Sequence, residues 1–443
     1  MSDIQNTIVK GDKKIMNAWA FYDWANSVYP LVITTAIFPI FYESYISEKV
    51  SFFGFDLVNT TVITTVSAIY FLLIVFLLPI LTGIADASGN KKAFMRFFCY
   101  LGALSCMSLA LFDKDHLELS MISFVLAGIG FWSSLVFYNA YLPEVAEEKD
   151  HDKLSAKGFS MGYVGSAILL IVCLAMVLMA PEGYASLMSR LSFVLTGLWW
   201  IGFSHVTFAK LPKGTSKISF GNGAVKKGFD EIKKVWREVN KTVRLKRFLT
   251  SFFVYSMAVQ TIMLMAVYFG TKEIDWGVGE EAEAAARTGL IISVLLIQII
   301  AIPGAVLLSK VSNVKGNLFA LKLVIAMWVV LCLSAFVVTE PVHFYIIASF
   351  VGLVMGGTQS LSRSTYSKYI PEGTKDTSSY FSFYDISEKM GIVIGMFSYG
   401  FIEQLTGSMR NSIVALVVFF AFGLILLFRV PEEEVELEKE NVN

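Results

Sequence analysis

Three short triplets combine an aromatic pair with a polar residue inside otherwise apolar stretches of this chain. They read FYD at 21–23, FYN at 137–139 and FYD at 383–385. Ionisable groups are expensive in a membrane segment, so they usually face a partner, a cavity or a transport pathway. The triplets therefore mark candidate binding or gating residues, and Asn26 extends the polar face of the first. Their polar members are Tyr22, Asp23, Tyr138, Asn139 and Asp385.

Asp23 has two interpretations that the sequence leaves open. An acid near a helix start suits the positive end of the helix dipole, so Asp23 could simply lie in the headgroup zone. Alternatively, it faces water or a partner at the inner mouth of a central cavity and takes part in gating. Trp19 and Trp24 indicate that the membrane interface is nearby.

Asp385 and Lys389 are four residues apart, acid first, and share one face of a predicted helix. Such a spacing favours an ion pair, and we expect the adjacent Glu388 to point elsewhere. Either the pair is purely structural, or Lys389 binds a carboxylate on a solute or on another helix. The spacing does not decide between these alternatives.

Several further polar residues fall in apolar segments and complete the candidate binding or gating set. A single glutamine in a membrane helix most often joins two helices. Arg363 stands near a predicted cytoplasmic end, where snorkelling to phosphate is the usual explanation, and contact with an anion is the alternative. Gly356 in the same segment predicts close helix approach. The set is Gln260, Thr261, Gln359, Ser360 and Arg363.

The composition shows which kind of element must position these residues. The chain is 55% hydrophobic and 16% charged, whereas a soluble domain carries about 25% charged residues. Stretches of about 20 apolar residues can span a bilayer as helices. The sequence thus predicts an all-α membrane protein with twelve transmembrane helices. They are expected near 17–45, 58–84, 93–112, 118–141, 155–180, 187–209, 246–270, 286–309, 316–338, 342–366, 378–404 and 410–429.

Charge placement predicts the orientation. With the N-terminus inside, all but six of the 36 lysines and arginines fall in cytoplasmic loops or cytoplasmic helix halves, as the positive-inside rule requires. Residues 1–16 are polar and resemble no signal peptide. We expect a multi-pass protein of the cell (inner) membrane with both termini in the cytoplasm.

Other classes find little support in the sequence. The four cysteines lie in apolar segments without metal-ligand spacing, and the four histidines are scattered. Neither a phosphate-binding loop nor a nucleophile–base set is evident. We therefore expect no enzyme, no cofactor, no metal site and no nucleic-acid partner.

The chain also looks duplicated. FYNAYLPE at 137–144 matches TYSKYIPE at 365–372 at one constant offset, and Gly128 matches Gly356 at the same offset. Transporters are commonly built from such repeats. The prediction is two pseudo-symmetric six-helix bundles. The expected segments are the bundle 1–209, a basic cytoplasmic linker 210–245, the bundle 246–429 and an acidic cytoplasmic tail 430–443.

The linker predicts an amphipathic helix. Val225, Phe229, Ile232, Trp236, Val239 and Val243 recur every three or four residues, and the opposite face is strongly basic. Such a helix would lie along the cytoplasmic membrane surface and contact lipid. Binding to a protein partner is the alternative.

GIADASGNKK at 83–92 resembles the cytoplasmic-loop signature of the major facilitator superfamily. Gly83 and Gly89 would permit a tight turn, and Lys91 is one of the basic residues that follow. The resemblance implies that Asp86 contacts the start of the eleventh span and holds the cytoplasmic side closed, because a helix N-terminus offers free amides and partial positive charge.

Longer stretches resemble the vacuole-effluxer-like branch of that superfamily, which includes fungal amino-acid effluxers. The most specific are YDWANS at 22–27, GGTQSLSRS at 356–364 and SFYDISEKMG at 382–391. The resemblance implies a secondary transporter for a small polar organic solute, amino acid or peptide-like. Protons are candidate coupling ions, because Asp23, Asp385 and Glu388 can titrate. The alternative is a non-transporting membrane sensor or scaffold with the same fold.

Overall fold

A computed structural model describes residues 10–212 and 224–433. Almost all of the regular structure is helical. The first part of the chain contains α1 (Lys13–Asn26), a π-helix (Tyr29–Ile37), α2 (Phe38–Tyr45), β1 (Lys49–Phe52), β2 (Phe55–Val58), α3 (Asn59–Ser88), α4 (Lys91–Ser108), α5 (Leu117–Ala140), α6 (Leu142–Val145), α7 (His151–Leu178) and α8 (Ala185–Lys210). The second part contains α9 (Ala224–Lys241), α10 (Val243–Glu273), α11 (Glu280–Lys315), α12 (Asn317–Ala335), α13 (Pro341–Tyr369), α14 (Thr377–Thr406) and α15 (Met409–Phe428).

Each of the twelve predicted membrane segments falls on a long helix. Within the described residues, eleven helices are long and apolar enough to cross a membrane. The one remaining predicted segment, the eleventh, is α14, which is 30 residues long but carries Asp385, Glu388 and Lys389 in its first half. These charges explain why its apolar character is weaker. The predicted all-α fold of twelve membrane helices is confirmed.

The first membrane segment changes its helix type partway along. After α1 the chain forms the nine-residue π-helix before it continues as α2. Pro30 at its start lacks the amide hydrogen that a regular helix would use. The hydroxyls of Thr34 and Thr35 donate to the carbonyl oxygen of Pro30 at 2.6 and 2.9 Å.

The sequence did not predict the small hairpin of β1 and β2. The strands pair antiparallel, with Lys49 opposite Val58. The turn residues Phe53 and Gly54 both have positive φ, 50° and 80°, as two-residue hairpin turns of this hand require. Phe53 is an unusual residue for that position, which is why the turn carried no recognisable signal.

The chain divides into two compact units. Unit 1 comprises Met1–Ala146, Met161–Asp230 and Lys375–Ser382. Unit 2 comprises Glu147–Ser160, Glu231–Thr374 and Phe383–Asn443. The start of α14 thus belongs to unit 1 and the rest of that helix to unit 2. The start of α7 belongs to unit 2 and the rest of that helix to unit 1.

Each predicted bundle is one continuous stretch of the chain, so the prediction did not include helices whose first residues belong to the other unit. They stay a prediction. Predictions that concern residues 1–9, 213–223 and 434–443, including most of the acidic tail, lie outside the described residues.

Large aromatic side chains fill the interior of unit 1. There α4 packs on α5 and α8, and α8 also packs on α1. Trp19 and Trp200 are fully buried between these helices. This packing fixes the part of α1 that carries Asp23.

Unit 2 is built around a close pairing of α11 with α13. A Cβ atom added at Gly356 would lie 2.2 Å from the backbone oxygen of Ala301, so a larger residue cannot be accommodated without displacing a backbone. The predicted close approach at this glycine is confirmed.

The predicted linker helix is present as α9, although Val243 begins α10 instead of ending the apolar face of α9. Part of that face is covered by protein, because Val239 is buried, as is Val235 beside it. The interpretation of a helix lying only on membrane did not anticipate this packing. Phe229 and Trp236 remain 49% and 52% exposed.

Candidate functional site

Asp86 lies near the end of α3 and reaches the first turn of α14. Its carboxylate accepts hydrogen bonds from the backbone amides of Ser378 at 3.3 Å and Ser379 at 2.6 Å. The first amides of a helix have no partner within the helix and carry partial positive charge. The contact that the superfamily resemblance implied is therefore present, and its role as a conformational latch stays a prediction.

Lys91 completes this arrangement at the start of α4. Its ammonium group contacts the carboxylate of Glu144 and the hydroxyl of Thr377, and Thr377 in turn donates to Glu144 at 2.8 Å. We call Asp86, Lys91, Glu144 and Thr377–Ser379 the α14 network. In the sequence, Glu144 stands out only as part of the repeated stretch, and no local pattern predicts its contact with Lys91.

The two latch glycines have different roles. Gly89 ends α3 in the left-handed conformation with φ 61°, which supports the predicted turn. Gly83 lies inside α3, and the prediction that it serves the turn is wrong. A Cβ atom at Gly83 would lie 2.4 Å from the backbone oxygen of Gly228, so this glycine lets α9 pack directly on α3.

A second network holds the start of α7 within unit 2. Asp152 accepts hydrogen bonds from Ser312 at 2.8 Å, Asn317 at 2.7 Å and Lys368 at 2.8 Å. Lys368 also donates to the side-chain oxygen of Asn317 at 2.8 Å. The sequence did not predict this network, because its donors come from three separate segments that share no motif.

Arg363 belongs to the same region and is only 2% exposed. It donates from Nε to the hydroxyl of Ser155 and from Nη2 to the Ser155 carbonyl oxygen, both at 3.0 Å. Its guanidinium also lies 4.1 Å from the ring centre of Phe159. Snorkelling toward lipid phosphate is therefore the wrong interpretation for this side chain, because it is buried against α7. We call Asp152, Ser155, Ser312, Asn317, Arg363 and Lys368 the α7 network.

Asp23 is buried with a specific partner. The Tyr138 hydroxyl donates to its carboxylate at 2.8 Å, and the Tyr138 ring stacks on Trp19 with centroids 4.5 Å apart. Trp19 closes the cluster by donating from Nε1 to the Tyr138 carbonyl oxygen at 2.9 Å. The headgroup interpretation of Asp23 is wrong, since the residue is 3% exposed. The alternative, a protein partner, fits the geometry.

Other residues of the first two triplets surround this cluster. Tyr22 lies with its ring centre 5.0 Å from that of Tyr138, and Asn139 is buried beyond it. Within the described part of the chain, the Tyr22 hydroxyl and the Asn26 amide nitrogen have no hydrogen-bond partner.

The third triplet contradicts the predicted ion pair. Lys389 contacts the carboxylate of Glu388, which was expected to point elsewhere. Neither carboxylate oxygen of Asp385 has a hydrogen-bond partner among the described residues. Helical spacing alone allows a pair four residues apart, but the long side chains of the adjacent Glu388 and Lys389 can also meet.

The remaining candidates mainly join helices. Gln260 donates to Glu388 at 2.7 Å and so links α10 to α14. Thr261 and Ser360 donate to carbonyl oxygens of their own helices, those of Met257 and Gly356. Gln359 is directed toward the sulfur of Met263, at 3.4 Å.

Comparison with known proteins defines the class. The fold resembles that of the E. coli fucose:proton symporter FucP with a TM-score of 0.66, 16% sequence identity, and coverage of 95% of this chain and 98% of that one. The MFS-type transporter YxiO of Bacillus subtilis is 31% identical over 431 residues, covering 96% of this chain and 97% of YxiO. The protein is thus a transporter of the major facilitator superfamily.

Within that superfamily the chain belongs to the family described as vacuole effluxer Atg22 like, whose model matches residues 11–440. Autophagy-related protein 22-1 of Penicillium rubens is 26% identical over 304 residues, which cover 63% of this chain. The match spans about half, 49%, of that fungal relative. The family resemblance expected from the sequence is confirmed.

Proposed function

We propose that this protein is a secondary active transporter that moves a small polar organic solute, an amino acid or a peptide-like molecule, by alternating access. The observation that carries the proposal is a pair of buried polar groups of unit 1 without hydrogen-bond partners within the described residues: the Tyr22 hydroxyl and the Asn26 amide nitrogen. Buried polar groups are nearly always paired, so unpaired ones need an explanation. A polar solute would supply their partners.

These groups favour a solute that both donates and accepts hydrogen bonds. The Asn26 amide nitrogen can only donate, and the Tyr22 hydroxyl can donate or accept. An amino acid carries an ammonium group and a carboxylate, so it matches both kinds of group. The preference for amino acids over other polar solutes rests on the family resemblance.

The proton is the coupling ion that we propose. FucP, whose fold this chain shares, is named as a fucose:proton symporter. Asp23, Asp385 and Glu388 provide carboxyl groups within membrane helices of this chain. A carboxyl that gains and loses a proton changes charge, and a charge change inside a membrane helix is costly enough to alter which conformation is favoured.

We place the protein in the cell membrane, with both termini and both helix-start networks on the cytoplasmic side. The distribution of lysine and arginine supports this orientation. The α14 network would hold the cytoplasmic side closed, and the start of α14 would leave Asp86 when that side opens.

Lipid is the partner that we propose for the exposed face of α9. Phe229 and Trp236 are seven residues apart and therefore lie on one side of the helix, and the exposed Lys233 and Arg237 flank them. Aromatic and basic side chains together favour the interface of an anionic membrane.

Counterflow in proteoliposomes tests the proposed transport. Liposomes containing the purified protein would be loaded with one unlabelled amino acid and given a trace of its radiolabelled form outside. We expect at least one amino acid to produce a transient accumulation of label that protein-free liposomes lack. If no amino acid or short peptide is exchanged, with or without a proton gradient, the proposed solute class is wrong.

A scaffold or sensor would give a different pattern of labelling. In a variant whose four buried cysteines are replaced, a single cysteine at Asn26 should react with water-soluble reagents from alternate sides of the membrane as solute is added. A fixed pattern under all conditions would contradict alternating access.

A further inference from the structure

The first half of α14 holds three charged residues within little more than one turn. Asp385 is 2% exposed and Lys389 is 1% exposed, and the Glu388 side chain is 15% exposed. If all three are ionised, this part of the membrane helix carries one excess negative charge. The partners of each group decide where that excess charge lies.

Glu388 and Lys389 satisfy one another. The lysine ammonium contacts one oxygen of the Glu388 carboxylate, and the Gln260 amide donates to the other at 2.7 Å. The positive charge of Lys389 is thus already balanced by an acid that also has a neutral donor. The excess charge is therefore carried by Asp385.

Asp385 has no comparable support. Neither of its oxygens accepts a hydrogen bond within the described residues, and the charged groups that act on it are Lys389 and Glu388 of its own helix. A buried carboxylate without hydrogen bonds pays a desolvation cost that nothing offsets, whereas the neutral acid avoids most of it. This arrangement suits the acid form of Asp385.

Among the described residues, the side chains of α10 and α13 that lie against this part of α14 are mainly aromatic, and Arg363 is a cation near Tyr384. On α10, the Tyr255 hydroxyl is hydrogen-bonded to Ser362 at 2.7 Å, and Phe252 stacks on Tyr384. On α13, Tyr366 lies against Tyr384 with ring centres 5.1 Å apart, and Arg363 is bonded to Ser155. Lys389, one turn along the same helix, is the cation that acts on the Asp385 carboxyl.

We infer that Asp385 is the residue that binds and releases the coupling proton, an inference that rests on the proposed transport function. The proton comes from the solution and forms the O–H bond of the acid, and its release leaves the carboxylate. Lys389 is four residues from Asp385, a spacing at which the two side chains can meet. On proton release Lys389 would move from Glu388 to Asp385, so the lysine is shared between two acids.

Infrared spectroscopy can test the proton site without knowledge of the solute. In nanodiscs at neutral pH, the wild-type protein should show a protonated carboxyl band that D385N lacks. E388Q and D113N, which changes an exposed acid, should keep the band. Its persistence in D385N, or its absence from the wild type, would overturn the inference.

Transport then tests the coupling. D385N should lose solute accumulation driven by a proton gradient, down to the level of protein-free liposomes, while D385E should retain accumulation and D113N should match wild type. Retention of full accumulation by D385N would contradict the inference. A wild type that transports no solute would overturn the proposed function, and the infrared result would still decide the proton site.

Discussion

The carboxylate of Asp86 caps α14 from a distance of 292 and 293 residues along the chain, through the backbone amides of Ser378 and Ser379. A capping side chain normally comes from the residue just before its own helix. Here another helix supplies it, so the cap can be withdrawn without unfolding α14. In the α7 network the acid lies on the other side of the contact. Asp152 belongs to α7, the helix whose start is held, and its hydrogen-bond donors belong to other helices.

Removing the Asp86 carboxylate should weaken the folded state measurably. Asp86→Ala should lower the free energy of unfolding by about 1–3 kcal/mol, the cost of leaving buried hydrogen-bonding groups unpaired. Asp86→Asn should lower the free energy of unfolding by less, because the amide keeps an acceptor oxygen. It should still be less stable than wild type, because it lacks the negative charge that favours a helix start. Unfolding in detergent micelles measures both, with Asp113→Asn as the control. Equal stability of Asp86→Ala and wild type would contradict the assigned contact.

Breaking the buried pair of Asp152 and Lys368 should cost more. Replacing one partner of a buried ion pair typically costs about 3–5 kcal/mol, because the other charge remains buried. Asp152→Asn and Lys368→Met should each be strongly destabilised. The double variant should be more stable than the sum of the two losses predicts, and additive losses would show that the residues do not interact.

Gly83→Ala should loosen α9. Replacing a glycine inside a helix by alanine usually stabilises the helix by about 0.5–1 kcal/mol. We expect that gain for Gly202→Ala, because Gly202 has open space around it. At Gly83 the new methyl group would meet Gly228. Hydrogen exchange of the amides at 226–241 should therefore be faster in Gly83→Ala and unchanged in Gly202→Ala. Unchanged exchange in both would mean that α9 is not held at this point.

Tyr138→Phe removes the hydroxyl that donates to Asp23. The buried carboxylate loses a partner, so stability should fall by about 1–3 kcal/mol, and amino-acid counterflow should slow. Tyr184→Phe is the matched control, because Tyr184 is exposed. When Tyr138→Phe is added to Asp23→Asn, it should lower the free energy of unfolding by less than it does in the wild-type background. The same cost in both backgrounds would contradict a direct interaction.

Trp236 should report lipid contact by α9. In nanodiscs with brominated acyl chains, the fluorescence component lost in Trp236→Phe should be quenched, and more strongly with anionic than with neutral lipid. Added salt should reduce that difference, because it screens exposed charges. A Trp236 component with no quenching would show that this face is not in contact with the membrane.

The sequence predicted the helices well because a membrane demands long apolar segments, and these leave a strong signal. The resemblance of residues 83–92 to the superfamily signature implied the contact of Asp86 with the start of α14, which the structure contains. The repeat was less informative about individual residues. Tyr138 and Tyr366 do contact equivalent helices, α1 and α10, but Glu144 pairs with Lys91 whereas its counterpart Glu372 is exposed.

The misses share a physical cause. Asp152 depends on Ser312, Asn317 and Lys368, which only tertiary packing brings together. The partner of Lys389 was wrongly predicted. Helical spacing shows which positions are neighbours, but it does not determine which of two nearby acids a long, flexible lysine side chain contacts. Local rules therefore identified the candidate residues, and folding determined their partners.

The π-helix between α1 and α2 affects how the first membrane segment can be mapped. Its wider turn breaks the 3.6-residue repeat, so a helical-wheel projection drawn through residues 13–45 would assign Phe38 and Phe41 to the wrong side of the axis. A scan of this segment with single cysteines should accordingly show one phase of reactivity before Tyr29 and a rotated phase after Ile37.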